Sequence, residues 1–521
     1  MTKRTIYRCA LGLIGLVVGP VFASATPPAS STRAPAAAVS ATPPGATHAV
    51  TYHPIAAHVL APPPHDELPP ARVQAALEDY RRWLDHLAEH DTVAGLATAV
   101  VVDDKVVFEH TLGYADAATH APVTPDTVFR LASLSKAFAT GITSILVDQG
   151  KLSWDTRLSS VLPYFKLKNS TASQEATVAD ILGQRLGLPH NTYDNLLEDN
   201  VPYESLIRKL DEVSMICPVG QCYGYQNVAF SLIGDVIYAR TGQFFYHLVY
   251  QRIFGPLGMT DASYGSAALE SSKSWARPHF ASRHGWVPFL PKEAYYRVAP
   301  AAGVNASIRD MEKWLLAQMG DRPDVLDPKQ LAIMHHPDVP TPTEMYATPW
   351  RRARLTSAHY GLGWRVFTYA GQTLIYHAGA VEGYRSMIGF FPRYHVGIVT
   401  LWNSPGATPA NLMPMLFDEM LGLPHVDWAG VEGGAEYAAL RPRHRRGRAV
   451  AAESVAARRD VARREAATSS SKQHRHHHKA ATASRATKSK SSFAKKDAKT
   501  SKRHGKVTRK RRHTHPATDS D

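Results

Sequence analysis

The sequence predicts an α/β protein of the α+β type, in which strands from both ends of the chain form one antiparallel sheet. Runs of β-branched residues typical of strands lie within residues 96–112 and again within 374–402, and helical patterns dominate between them. The order of elements lacks the repeated strand–helix alternation that indicates a parallel doubly wound sheet. We therefore expect helices to flank the sheet and a mostly helical subdomain to be inserted between its two halves.

The first predicted element is a helix that begins near Ala71. Its apolar residues recur at the three- and four-residue spacing of one helix face. They are Val73, Ala76, Leu77, Tyr80, Leu84 and Leu87. Two β-branched runs, 96–102 and 106–112, follow on either side of Asp103-Asp104-Lys105, which predicts a hairpin.

Helices are predicted next, at residues 133–149, 177–182 and 227–241. Gly150 directly follows the first of these helices and Gly242 the last, at positions where glycine favours a helix end. Strand patterns return at 374–377, 384–391 and 396–402. A final helix is expected to open at Thr408-Pro409 and to end at Gly422.

The first 25 residues have the pattern of an export signal. Three basic residues precede an apolar stretch at 9–22, and Ala23-Ser24-Ala25 is a small-residue cleavage site. The apolar stretch is too short to favour a stable membrane span, although an uncleaved signal anchor is the alternative interpretation. We predict a signal peptide over residues 1–25 and a periplasmic or secreted protein without a stable membrane span after its removal.

Composition divides the rest of the chain into three parts. Residues 26–70 are rich in Pro and Ala and predict a linker, 71–427 form the expected folded domain, and 428–521 predict a basic, His-containing, disordered tail. Residues 441–521 carry 25 Lys+Arg against 6 Asp+Glu, so the net charge of +14 belongs to the tail. In an exported protein an anionic cell-envelope polymer is the expected partner and nucleic acid is not. A solvated tail without a specific partner is the alternative.

Ser133 and Lys136 are the candidate catalytic pair. They lie three residues apart at the start of a predicted helix, so their side chains share one face. A serine hydroxyl is a weak nucleophile until a base removes its proton. A desolvated lysine has a lowered pKa and can act as that base. Ser-x-x-Lys alone occurs often by chance, and the alternative is an N-cap serine beside a solvated lysine.

The sequence around this pair resembles the serine β-lactamase-related family. That family includes class C β-lactamases, D-alanyl-D-alanine carboxypeptidases, D-aminopeptidases and esterases. The similar segments are residues 113–116 (GYAD), 127–136 (TVFRLASLSK), 150–155 (GKLSWD), 256–259 (PLGM) and 301–304 (AAGV). The resemblance covers about residues 71–422. It implies a β-lactamase/transpeptidase-like fold and an acyl-enzyme on Ser133, with no metal and no organic cofactor.

Tyr225-Gln226-Asn227 resembles the Tyr-x-Asn motif of this family. The resemblance implies that Tyr225 moves protons together with Lys136 and that Asn227 binds substrate and Lys136. Because a tyrosine hydroxyl has a pKa of about 10, Tyr225 needs a nearby cation to act as a base, and Lys136 is the candidate. The alternative is an ordinary core tyrosine.

Cys217 and Cys222 are the cysteines that remain after the predicted signal peptide. An oxidising compartment allows them to pair, and their short spacing makes a disulfide feasible while leaving two free thiols as the alternative. Two cysteines alone do not favour a zinc site. A disulfide here would brace the loop that delivers Tyr225.

Residues 376–380 (YHAGA) resemble the strand that bears Lys-Thr-Gly in many β-lactamases, with His377 in place of the lysine. The resemblance implies that His377 and Gly379 bind substrate and that the backbone N–H groups of Ser133 and Ala380 form an oxyanion hole. A histidine with a pKa near 6.5 is mostly neutral at neutral pH. The sequence therefore predicts the acyl-transfer reaction more strongly than it predicts β-lactams as the substrates.

Two segments depart from the family pattern. Residues 184–189 (QRLGLP) replace a turn of the His-Thr-Ser-Gly-Leu type, and 301–303 (AAG) stand where a double glycine is usual. Neither departure removes a nucleophile or a base, but both put the loop geometry in doubt.

These observations predict an exported serine hydrolase that acts on a small-molecule or peptide substrate, namely D-amino-acid peptides, esters or β-lactams. One alternative is a catalytically inactive, penicillin-binding-like envelope protein that its tail tethers to anionic polymers. The intact set of Ser, Lys, Tyr and His argues against it. Another alternative is a nucleic-acid-binding protein, which the export signal opposes.

Overall fold

A computed structural model describes residues 66–433 of the chain. The strands are β1 Gly95–Val102, β2 Lys105–Asp116, β3 Ala121–Pro122, β4 Phe129–Arg130, β5 Ser263–Tyr264, β6 His279–Ser282, β7 Gly285–Pro288, β8 Val304–Ala306, β9 Val339–Pro340, β10 Leu355–Tyr360, β11 Arg365–Tyr369, β12 Gln372–Val381, β13 Tyr384–Phe391 and β14 Val396–Trp402.

The helices are α1 Pro70–Glu89, α2 Ser135–Asp148, α3 Leu158–Val161, α4 Ser170–Glu175, α5 Val178–Leu182, α6 Asp194–Glu198, α7 Tyr203–Ile207, α8 Leu232–Thr241, α9 Phe245–Val249, α10 Gly255–Leu257, α11 Ser266–Glu270, α12 Ala299–Ala302, α13 Ile308–Met319, α14 Pro328–Met334, α15 Pro349–Arg354 and α16 Thr408–Leu421. Short 3₁₀ segments include Ala132–Leu134 and Ala294–Val298.

The main sheet has nine strands in the order β3-β2-β1-β14-β13-β12-β11-β10-β9. Its centre joins the two ends of the described chain, because β1 pairs with β14 in register from Leu96↔Trp402 to Val102↔Val396. Every pairing in this sheet is antiparallel. The predicted α+β class, with a sheet built from both chain ends and a helical region inserted between β4 and β9, is confirmed.

Helices α1 and α16 contact each other and pack on the sheet, and α13 contacts β1 and β14. The six apolar positions predicted for the first helix are all buried, together with Trp83. Proline opens α1 one residue before the expected start, a position where its missing N–H is not needed. The sequence therefore identified the core-facing stripe of α1 correctly.

Two predicted helices begin later than the sequence indicated. The 133–149 segment starts as the 3₁₀ turn Ala132–Leu134 and becomes α-helical only at Ser135. The 227–241 segment becomes the helix α8 only at Leu232, and Gly242 ends it in the left-handed conformation at φ 70°. In both cases the residues before the observed helix start have side chains that contact other parts of the fold.

The packed region continues past residue 427, where the sequence placed the start of the tail. Trp428 is only 3% exposed and Val431 is also buried, so the predicted boundary falls inside the core. The predicted signal peptide, most of the linker and the remainder of the tail fall outside the described residues. Between residues 66 and 433, no helix is long and apolar enough to cross a membrane.

Asp418 of α16 ties this end of the chain to the sheet. Its fully buried carboxylate accepts two hydrogen bonds from the Arg354 guanidinium, both at 2.9 Å. It also accepts from the Tyr369 hydroxyl of β11 and, at 2.8 Å, from the indole N–H of Trp428. One carboxylate thus joins α15, β11 and the segment after α16.

We expect Asp418→Ala to lower the free energy of unfolding by about 3–5 kcal/mol, because it leaves the Arg354 guanidinium largely buried and without its partner. Urea unfolding followed by circular dichroism measures the change. Asp126→Ala is the control, since it breaks the exposed ion pair with Arg309 and should cost only about 0–1 kcal/mol. Equal effects of the two substitutions would contradict this role for Asp418.

Candidate active site

Ser133 lies in a tight turn, residues 131–135, that leads from β4 into α2. Ala132 adopts a left-handed backbone at φ 50°, which is strained for a residue with a Cβ. Neighbouring elements hold the turn in place. The Leu131 N–H donates to the Val304 carbonyl at 2.9 Å, and the Ser135 hydroxyl accepts from the Val304 N–H at 2.9 Å. The turn presents Ser133 partly exposed at the end of the sheet.

Lys136 is fully buried one turn further on. Its Nζ lies 2.7 Å from Asn227 Oδ1, 3.2 Å from the Ala301 carbonyl oxygen and 3.5 Å from Ser133 Oγ. Burial lowers the pKa of Lys136 to about 7, the negative charge of Asp194 raises it and the positive charge of Arg365 lowers it. A lysine in this environment changes its protonation state near neutral pH.

Tyr225 lies beside Ser133 and Lys136. Its hydroxyl is hydrogen-bonded to Ser133, and the Lys136 Nζ lies 4.5 Å from the centre of its ring. Burial raises the pKa of Tyr225 well above its usual value, and the hydrogen bond with Ser133 offsets this only in part. Burial therefore favours the protonated phenol, and the catalytic role that the resemblance implies for Tyr225 stays a prediction.

The loop that delivers Tyr225 is held by the segment that departs from the family pattern. Gln184 takes a left-handed backbone at φ 58°, and its side chain accepts from the Gln226 N–H at 2.6 Å. Its backbone carbonyl accepts from the Gly224 N–H at 2.8 Å. Cys217 and Cys222 form a disulfide in the same loop, which resolves the choice that the sequence left open. The replaced turn thus still supports Tyr225.

Asn227 connects Lys136 to a carboxylate that the sequence analysis missed. Its Oδ1 faces Lys136, and its Nδ2 donates to Asp194 Oδ2 at 2.7 Å. Asp194 precedes Asn227 by 33 residues and opens the short helix α6. The sequence contains many acidic residues, and no local pattern distinguishes Asp194 from them. Only the folded loop brings its carboxylate to the Asn227 amide.

Gly379 of β12 packs directly against the Ser133 turn. A Cβ at Gly379 would lie 2.2 Å from the Leu131 carbonyl oxygen and 3.1 Å from the Ser133 backbone nitrogen. Glycine is needed here for the contact between strand and turn, and the binding of substrate by Gly379 stays a prediction. The next residue, Ala380, is exposed, and residues 377–381 extend beyond the last β11 partner, Tyr376.

His377 lies under the site and not on its surface, since it is only 1% exposed. Its Nε2 is 3.2 Å from the Tyr360 hydroxyl, and the Tyr360 ring lies 6.5 Å from the Tyr225 ring. Burial and the nearby Arg365 and Lys136 charges hold the pKa of His377 well below its usual value. The neutral imidazole supports Tyr360, and direct contact of His377 with substrate stays a prediction.

Arg365 of β11 is a further charged group that the sequence analysis did not identify. It pairs with Glu344 at 2.5 Å, and its guanidinium carbon lies 5.9 Å from the centre of the Tyr225 ring. Glu344 also contacts Arg351, so it is shared between two cations. Among residues 66–433, no group of three or more His, Cys, Asp or Glu side chains is placed to hold a metal ion.

Solved structures share this fold. A penicillin-binding protein homologue from Pyrococcus abyssi, described as octameric, aligns with a TM-score of 0.60 at 22% identity and covers 67% of this chain and 78% of its own. EstCE1, described as a hydrolase with promiscuous acyltransferase activity, aligns with a TM-score of 0.56 at 16% identity. The alignment covers 67% of this chain and 99% of EstCE1. At these identities the likeness shows the fold alone.

Curated relatives match over the same region. Unguisins hydrolase ungD' of Aspergillus campestris (strain IBT 28561) is 27% identical over 342 residues, 63% of this chain and 61% of the relative. Protein flp of Staphylococcus aureus (strain COL) is 25% identical over 336 residues, 62% of this chain and 63% of the relative. The match thus spans less than two thirds of the length of these relatives.

The family described as Beta-lactamase matches residues 80–416, which is more than half of the chain. This range includes the Ser133 turn, Lys136, the Tyr225 loop and β12. The chain belongs to the β-lactamase family.

Proposed function

We propose that this protein is an exported serine hydrolase that forms an acyl-enzyme on Ser133. The substrates are D-amino-acid peptides, esters or β-lactams, each of which offers a carbonyl carbon to the Ser133 hydroxyl. The named hydrolase among the relatives supports this reaction class.

The arrangement around Lys136 Nζ is the observation that carries the proposal. A neutral amine has two N–H groups and one lone pair. Asn227 Oδ1 and the Ala301 carbonyl oxygen can only accept hydrogen bonds, so they take the two N–H groups. In the neutral amine this would leave the lone pair for the third neighbour, Ser133 Oγ, which lies 3.5 Å from Nζ. The contact is longer than the roughly 2.6–3.2 Å of a proton-transfer contact, and we propose that it shortens when substrate binds and Lys136 acts as the general base.

The proton movements follow from the pKa values. Neutral Lys136 takes the proton of Ser133 as Oγ attacks the carbonyl carbon. Tyr225, which keeps its own proton, donates it to the leaving nitrogen or oxygen, and the Lys136 ammonium restores the proton to Tyr225. Water then attacks the acyl-enzyme ester and gives a proton to neutral Lys136. Tyr225 protonates the departing Ser133 Oγ, and the Lys136 ammonium restores the proton of Tyr225.

The oxyanion is expected to bind the backbone N–H groups of Ser133 and Ala380. Support comes from Gly379, which lets β12 approach the Ser133 turn closely. Preorganised donors of this kind each contribute about 3 kcal/mol to the stability of a tetrahedral intermediate. Because His377 is buried and neutral, β12 lacks the cation that would attract a substrate carboxylate at this position.

We expect Ser133→Ala to abolish labelling by a fluorophosphonate probe and to lower ester turnover by a factor of about 10³ or more, since the nucleophile is lost. The measurement is a panel with a p-nitrophenyl ester, a D-Ala-D-Ala peptide and a chromogenic cephalosporin. The absence of a cation on β12 predicts faster turnover of the ester than of the cephalosporin. Ser160→Ala, which alters an exposed hydroxyl in α3, is the control and should keep the labelling of the wild type.

Unchanged labelling of Ser133→Ala at the active site would exclude this mechanism. No turnover of any member of the panel by the wild-type protein, despite a folded domain, would favour the catalytically inactive envelope protein.

The pH dependence of kcat/KM should report the protonation of Lys136. Since only the neutral amine accepts the serine proton, activity should rise with pH through an apparent pKa near 7. Lys136→Arg should lose activity by a factor of about 10² or more at every pH, because a guanidinium does not become neutral. A rate that does not change between pH 5 and 9 would contradict the assignment.

The basic tail is proposed to bind an anionic cell-envelope polymer after export. The 25 Lys+Arg of residues 441–521 support this, and such binding weakens with salt. The full chain should sediment with a polyphosphate-bearing wall polymer at low salt, whereas a chain that ends at residue 433 should not. Retention of DNA but not of the wall polymer would instead favour a nucleic-acid partner.

A further inference from the structure

Asp194 is held in the interior by an unusual loop. Asn191 and Tyr193, just before it, take left-handed backbones at φ 55° and 67°, and the Asp194 N–H donates to the Asn191 carbonyl at 3.1 Å. The side chain is only 9% exposed. Placing non-glycine residues in this conformation costs free energy, so the loop directs this carboxylate inward against local preference.

The carboxylate determines which way the Asn227 amide faces. An amide has a donor end and an acceptor end, and an ionised carboxylate only accepts. Asp194 Oδ2, at 2.7 Å, therefore requires the Nδ2 end of Asn227, which leaves Oδ1 toward Lys136 at 2.7 Å. If the amide were reversed, its N–H groups would face Lys136 and compete with Ser133 for the lysine lone pair.

The second carboxylate oxygen of Asp194, Oδ1, does not receive the hydrogen of its neighbour Tyr295. The Tyr295 hydroxyl is near Asp194 but has one hydrogen, and it donates that hydrogen to Glu198 Oε1 at 2.8 Å. Asp194 Oδ1 is buried and no donor among the described residues meets hydrogen-bond geometry with it, although the nearby Tyr295 hydroxyl lowers the pKa of Asp194. Burial, the largest effect, raises the pKa of Asp194, whereas the hydrogen bond from Asn227 and the charge of Lys136 lower it and favour the carboxylate form.

Opposite charges face Lys136 from two sides of the site. Asp194 on α6 favours the ammonium form, and Arg365 on β11 favours the neutral amine. The remaining titratable neighbours, Tyr225 and His377, are neutral near pH 7.

We propose that Asp194 is a positioning residue of this site: it fixes the Asn227 amide with its oxygen toward Lys136 and opposes Arg365 in setting the charge state of Lys136. The inference rests on the proposed acyl-enzyme chemistry and adds to it a residue that does not touch the reacting atoms. The two roles, orientation and charge, are separable by substitution.

Asp194→Asn tests the charge, because asparagine keeps an oxygen that can accept from Asn227. We expect the apparent pKa of the acidic limb of kcat/KM to fall by about one unit, since loss of the negative charge disfavours the ammonium. Arg365→Gln should move the same limb to higher pH. Opposite directions separate an electrostatic effect from general damage to the fold, which would not reverse its sign.

Asp194→Ala tests the orientation, because alanine cannot hold the amide. We expect kcat to fall about tenfold with a smaller change in KM, as for the loss of one hydrogen bond to a charged group. Asp199→Asn is the matched control: it removes the same charge from an exposed position at the end of α6 and should leave the limb in place.

Titration of Lys136 by NMR of ¹³C-labelled lysine, assigned with Lys136→Arg, gives a readout without turnover. A downward shift of the Lys136 pKa in Asp194→Asn, but not in Asp199→Asn, is the expected result. An unshifted Lys136 titration in folded Asp194→Asn overturns the electrostatic role. Retention of kcat within twofold in Asp194→Ala overturns the positioning role. If the wild type shows neither labelling at Ser133 nor turnover, the proposed function fails, and the NMR result still decides the charge.

Discussion

The burial of Lys136 is the constraint on which the rest of the site depends. A fully buried ammonium is costly unless it is paired, and no carboxylate within residues 66–433 contacts Lys136 directly. Two neutral oxygens accept its N–H groups, while Asp194 acts from behind Asn227. The lysine is thus kept close to neutrality but is still hydrogen-bonded. That balance between desolvation and indirect pairing gives Lys136 a pKa of about 7, as its proposed role as a base requires.

The sheet supplies the rigidity that this balance requires. The Ser133 turn is fixed by β8 on one side and by β12 and β13 on the other, where the Ser386 hydroxyl donates to the Leu131 carbonyl at 2.7 Å. Gly379 removes the side chain that would otherwise separate β12 from the turn. A strained residue, Ala132, persists in the turn because several elements determine its position at once.

Charge is organised in layers around the reacting groups. Lys136 has a pKa lowered to about 7 and Tyr225 a raised pKa, whereas the charged groups Asp194 and Arg365 lie behind Asn227 and Tyr225. His377 supports Tyr360 through the contact between Nε2 and the hydroxyl, and its contact with substrate stays a prediction. In the proposed reaction, the protonation of Lys136 is thus controlled by groups that need not contact the substrate.

The sequence by itself determined the strand and helix order, the buried stripe of α1 and the Ser133–Lys136 spacing, because periodicity and short motifs are local properties of the chain. It did not locate the start of α8 or the end of the core, because tertiary contacts of Asn227 and Trp428 override local preference there. Only the tertiary structure decided the pKa shifts of Lys136 and Tyr225 and the placement of Asp194 and Arg365 beside them. Those properties depend on burial and on charges that are distant in sequence, and both exist only after folding.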